Sequence, residues 1–90
     1  MGPVATRIQE KLTAALSPVH LAVIDDSSKH AGHVGARPGG ETHFTVDVVS
    51  SAFEGMNRVA RQRKIYEILS EEMSGPVHAL AMIAKAPNDK

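Results

Sequence analysis

Between Thr42 and Ser50 the chain reads THFTVDVVS, in which Phe44, Val46 and Val48 alternate with His43, Thr45 and Asp47. A two-residue period places alternate side chains on opposite faces of a strand. One face of this strand is apolar along its length and must be covered, and the other is polar enough to meet water. The cover has to come from within a short chain. There are 90 residues and no cysteine, so packing alone holds the fold unless a partner or a metal contributes.

The flanking segments supply the cover. PVATRIQEKLTAALSP, from Pro3, reads as a helix: Pro3 suits a first helical position. Ile8, Leu12 and Leu16 form an apolar stripe beside Ala5 and Ala15, and Pro18 stops it. HLAVIDDS, from His20, reads as a strand running into a turn at Asp25–Ser27. A long loop, 28–41, follows, of the kind that is functional or mobile in compact domains. After the THFTVDVVS strand a short turn runs through Phe53. MNRVARQRKIYEILSEEMSG then reads as one long helix with Val59, Ile65, Ile68, Leu69 and Met73 on a common face, ended by Gly75–Pro76. VHALAMIAKAP is a last strand closed by Pro87. The order is α-β-β-α-β. It predicts an α+β two-layer sandwich with a three-stranded sheet and the helices on one face. Residues 1–90 form a single domain by size.

Composition excludes several classes. Hydrophobic residues make up 42% and charged residues 22%, with a net charge of zero and a pI near 7.0. This argues against bulk attraction to nucleic acid or to anionic membrane. No apolar run is long enough to span a bilayer, and the N-terminus lacks the form of a signal peptide. A cytoplasmic setting is expected, or a mitochondrial or plastid matrix if a presequence has been removed. The paired carboxylates Asp25–Asp26 and Glu71–Glu72 are sequence neighbours that point apart, and no nucleophile turn is present, so the chain is not expected to be an enzyme.

Two features call for a functional account. SSKHAGHVGARPGGETHF, Ser27 to Phe44, carries three of the five histidines, His30, His33 and His43, and four of the seven glycines. His20 is expected to be surface polarity and His43 to serve the sheet by packing or hydrogen bonding. The spacing matches no zinc pattern. The second feature is the charge order of the long helix, with Arg58, Arg61, Arg63 and Lys64 at its start and Glu67, Glu71 and Glu72 near its end. The helix dipole favours the reverse. A solvated face and a functional surface are both compatible with this order.

Phe53-x-Gly55, Val59-x-Arg61-x-Arg63, Tyr66-x-x-Leu69, Glu71–Glu72 and Val77-His78-Ala79-Leu80, preceded by DDSSKH and GGETHF, resemble the BolA family in order and spacing. The resemblance runs from about Val4 to Pro87. Gln62 stands where the family usually has His, and HAGHVGARP is longer than the loop of many members. The resemblance implies a fold related to the class II KH domain, without its GxxG phosphate clamp, since residues 53–56 read FEGM.

It further implies partnership with a monothiol glutaredoxin around a shared [2Fe–2S] cluster. The glutaredoxin and glutathione supply thiolates, while the BolA-like chain, a monomer without cluster when alone, supplies His78 and a loop histidine, His30 or His33. Imidazole binds iron through a neutral nitrogen and raises the potential relative to thiolate. The implied roles are cluster trafficking or iron sensing. The other reading is a transcriptional regulator that binds nucleic acid through Arg58, Arg61, Arg63 and Lys64, weakly by the charge argument.

Overall fold

The computed structural model describes residues 2–27 and 41–89. The elements are α1 (Pro3–Leu16), β1 (His20–Asp25), β2 (His43–Val49), a 3-10 turn (Ser51–Phe53), α2 (Arg58–Ile68), α3 (Ser70–Ser74) and β3 (Ala79–Lys85). The sheet order is β1-β2-β3. β1 pairs with β2 antiparallel, Asp25 facing Phe44, and β2 pairs with β3 parallel, His43 facing Ala79 and Val49 facing Lys85. The α+β architecture is the one the sequence patterning predicts.

The alternation of β2 decides where the core sits. Phe44, Val46 and Val48 are fully buried, and they meet Ile8, Leu12 and Leu16 of α1 and Ile65 and Leu69 from the second helical segment. The intervening residues His43, Thr45, Asp47 and Val49 are only partly covered. Both helical segments therefore lie on one face of the sheet, and the other face is open. Ala15, placed beside the α1 stripe by its spacing, is exposed.

The long helix of the sequence reading is two helices. Leu69, at φ −100° and ψ 21°, separates α2 from α3. Val59 does not join the buried face and is 53% exposed. At 100° per residue it lies about 100° around the helix from the midpoint of Ile65 and Leu69, outside the stripe. Beyond the break Glu72 is buried, and its carboxylate meets Lys11 Nζ at 3.0 Å, with Arg7 at 3.8 Å. These ion pairs join α3 to α1. They also raise the pKa of Lys11, first through Glu72 and then through Glu71.

Two remote side chains close the ends of α1. Gly2 offers no side-chain cap, and the carboxylate of Glu41 takes its place by accepting from the Ala5 amide at 2.9 Å. A negative group at a helix N-terminus also complements the dipole. A Cβ at Gly2 would run into that carboxylate, so glycine is the residue that allows the approach. At the other end the buried Ser50 hydroxyl donates to Leu16 O at 2.6 Å and accepts from the Ala52 amide. The Ser50 amide donates to Lys85 O. One residue thus ties α1, the 3-10 turn and the end of β3 together. The loop expected at 28–41 lies outside the described residues except for Glu41.

Candidate ligand site at the start of the parallel strand pair

The parallel pairing of β2 and β3 brings the starts of both strands to the same end of the sheet. His43 opens β2, and His78 immediately precedes β3. The His78 amide donates to Thr42 O at 2.7 Å, and the Ala79 amide reaches the same oxygen at 3.3 Å. Val77, buried, donates its amide to Glu72 O at 3.0 Å. His78 is therefore held from both sides by backbone, while its side chain is exposed. Its ring stacks beside that of His43, with centroids 6.2 Å apart and planes 16° from parallel.

A buried polar latch sets the position of this end. Ser27 Oγ accepts from the amides of Thr42 at 2.8 Å and His43 at 3.2 Å. Thr42 is fully buried, and its hydroxyl lies 3.3 Å from Ser27 Oγ and 2.9 Å from His43 Nδ1. Thr45 donates its hydroxyl to Asp26. The Asp25 carboxylate accepts from the Ser27 and Glu41 amides at 2.9 and 3.1 Å. Glu41 sits at φ 63°, a left-handed conformation that costs a non-glycine residue energy and persists only where surroundings enforce it. Here its amide and carboxylate are both engaged. The latch joins the two ends of the loop that carries His30 and His33.

Burial would push the Asp25 carboxyl up, but the bonds from Ser27 and Glu41 and the nearby His43 outweigh it and hold the pKa below its ordinary value. A depressed carboxylate contributes stability above its unfolded pKa, near 3.9, and loses that contribution as pH falls through the folded value. Amide exchange at Ser27 and Glu41 should accelerate as pH falls below about 4, after correction for intrinsic rates. In Asp25→Asn both amides should exchange faster at neutral pH and lose that dependence. Equal protection in the variant would show that the carboxylate does not hold the latch.

The residues predicted from the sequence are distributed as follows. His78 stands at the exposed end described above. His30 and His33 lie outside the described residues. His43, expected to serve the sheet, does so in β2 with its ring bonded to Thr42, and the parallel register also stacks that ring beside His78. Among the described residues no group of three or more His, Cys, Asp or Glu side chains could hold a metal ion. The His78 ring is exposed and accessible to a partner.

The basic cluster divides. Arg61 is engaged within the fold: it donates to Met56 O at 2.9 Å and Ala84 O at 3.1 Å, pairs with Asp89, and lies 5.9 Å from the centre of the Phe53 ring. The pairing raises the pKa of Arg61 and lowers that of Asp89. Arg58 lines a groove of about 410 Å³ against β3. Arg63 and Lys64 line a shallower depression with Val59 and Glu67.

The family model described as BolA-like protein matches residues 12–89. The chain is a member of the BolA family. It is 47% identical over 87 residues to Protein BOLA1, chloroplastic, of Arabidopsis thaliana, covering 94% of this chain and 54% of that protein. The BolA-family chain thus spans about half the length of this relative. Over 76 residues it is 47% identical to the DNA-binding transcriptional regulator BolA of Escherichia coli, covering 84% of this chain and 69% of that protein. Among solved structures, the BolA domain of SufE1 from Arabidopsis thaliana superposes with a TM-score of 0.88 at 46% identity, covering 97% of this chain and 95% of that one. No helix among the described residues is long and apolar enough to cross a membrane.

Proposed function

We propose that this BolA-family chain is a non-catalytic adaptor that binds a monothiol glutaredoxin and shares a [2Fe–2S] cluster with it, in cluster trafficking or iron sensing. The observation that carries the reading is the exposed imidazole of His78, held by backbone bonds from Val77 to Glu72 and from His78 to Thr42. A bridging cluster lies between two proteins, so its ligand must be rigid and yet open to a partner. When bound, the cluster supplies an electron-accepting iron centre, and imidazole ligation raises its potential. The loop ligand is His30 or His33, carried on a segment whose ends the Ser27–Thr42 latch joins. The chain supplies no thiolate, which makes the partner necessary. It is a monomer without a cluster when alone. Its compartment is the cytoplasm, or an organelle matrix as the chloroplastic relative suggests.

The test mixes the chain with a monothiol glutaredoxin, glutathione and reconstituted cluster, and follows absorption and circular dichroism. A one-to-one complex with a spectrum distinct from that of the glutaredoxin homodimer is expected. A stable cluster on the isolated chain would overturn the reading.

A second reading, nucleic-acid binding in transcriptional regulation, draws support from the name of the Escherichia coli relative. It has fewer cations to work with than the sequence implied, because Arg61 is committed to Asp89 and to backbone carbonyls. Arg58, Arg63 and Lys64 remain for it. Three phosphate contacts give a salt dependence with a slope of about −2 to −3 in log–log terms, and this measurement distinguishes it from a protein partner.

A further inference from the structure

β3 is an edge strand: the sheet order leaves its outer side without a strand neighbour among the described residues. Lys85 O accepts from the Ser50 amide and so points inward. Backbone groups alternate in direction along a strand, so Leu80, Met82 and Ala84 direct their amides and carbonyls outward. Arg61 Nη1, which meets Ala84 O at 3.1 Å, occupies one of these positions. Edge strands are commonly protected by charge, proline or bulges. ALAMIAK, the sequence of β3, has no proline and one charge, at its end.

The groove of about 410 Å³ opens onto this edge. Its lining includes Met82 and Ala84, from the core-facing set of β3, and Ile83 and Lys85, from the open-face set, so it follows the strand's rim. Arg58 and Gln62 of α2 and Met56 form the opposite wall. Ile83 is 47% exposed. The lining offers apolar side chains, no acidic residue, and the cations Arg58, Arg61 and Lys85; Arg61 is paired with Asp89, which also feels Lys85.

From the outward amides, the apolar floor and the cations at the rim we infer that this groove binds an extended acidic–apolar segment of a partner protein, which adds to β3 as a fourth strand. Main-chain bonds to Leu80 and Met82 supply affinity, and side chains of alternate residues supply specificity. One set of side chains packs on Met56, Met82 and Ile83, and carboxylates meet Arg58 and Lys85. A second copy of this chain fits poorly, because it brings the same cations and no acid to the groove. The groove residues Met82 to Lys85 lie about 13–23 Å along the strand from His78, toward the far end of β3, while the bond to Leu80 brings the segment to within two residues of it.

The test titrates the full chain with a blocked peptide of about nine residues alternating valine and glutamate, read by backbone amide shifts in NMR. Shifts concentrated at Leu80–Lys85, Arg58 and Gln62 are expected. Methylating alternate peptide nitrogens should weaken binding by about tenfold, because it removes the ladder donors. The double variant Arg58→Glu/Lys85→Glu, at exposed positions, should weaken it to a similar degree. His78→Ala should bind the peptide as the parent does, which separates this site from the cluster reading. Equal binding of the N-methylated peptide, or of a valine–lysine peptide, would overturn the proposal. So would a DNA duplex that displaces the peptide with higher affinity, or the same shifts appearing when the peptide-free chain is concentrated and self-associates.

Discussion

His78→Ala should remove the imidazole-type signature of the cluster shared with a glutaredoxin and lower cluster retention by about 100-fold or more, given that losing even an outer partner of a metal ligand costs about 10–100-fold. The expectation follows from the anchoring of this residue. Its amide is bonded to Thr42 O, and Val77 before it to Glu72 O, so the backbone fixes where this imidazole starts. Its exposed ring contributes little to the core, and the variant should therefore melt within about 1 kcal/mol of the parent. His43→Ala, which removes the stacked neighbour 6.2 Å away, should keep the cluster but change its circular dichroism. His30→Ala and His33→Ala, singly and together, identify the loop ligand. Absorption, circular dichroism and electron paramagnetic resonance of each heterocomplex, beside the thermal melt of each apo-chain, make the comparison. An unchanged heterocomplex spectrum for His78→Ala would end the ligand assignment.

Phe53→Ala should destabilise the domain by about 3–5 kcal/mol, the usual cost of emptying a buried aromatic site. For a domain of this size that is a fall in Tm on the order of 20 °C, and it consumes much of a total stability of about 5–15 kcal/mol. Phe53 belongs to a three-residue 3-10 turn, yet it is fully buried in the cluster with Ile8, Leu12 and Ile65. Its ring also underlies Arg61, whose bonds to Met56, Ala84 and Asp89 hold α2 against the end of β3. Removing the ring loosens that contact as well as opening a cavity. Denaturant unfolding measures the cost. A loss below about 1 kcal/mol would mean that the core closes over the site and that Arg61 does not depend on the ring.

Local pattern was enough to specify α1 and the strands, though not the division of the second helical segment at Leu69. The alternation of Phe44, Val46 and Val48 and the four-residue spacing of Ile8, Leu12 and Leu16 are properties of the backbone repeat, and all six are buried. Their order implied helices over one sheet face, and the motifs from Phe53 to Leu80 pointed to the BolA family, which the family match establishes. His78 stood out as part of one of those motifs, and the structure places it, exposed, just before β3.

What depends on distant residues meeting was not legible. The 100° turn per residue could have excluded Val59 from the buried face, but the buried Glu72 carboxylate finds its partner in Lys11, some sixty residues away. Arg61 read as a free cation because Asp89 and Ala84 O are reached only when β3 returns beside α2. His43 became the neighbour of His78 through the parallel register alone, and Glu41 became the cap of α1 across 36 residues. Periodicity reports which face of an element a residue occupies. It carries no information about which element that face will meet, and the bonds from His78 to Thr42 and from Arg61 to Ala84 O at the two ends of β3 are of this second kind.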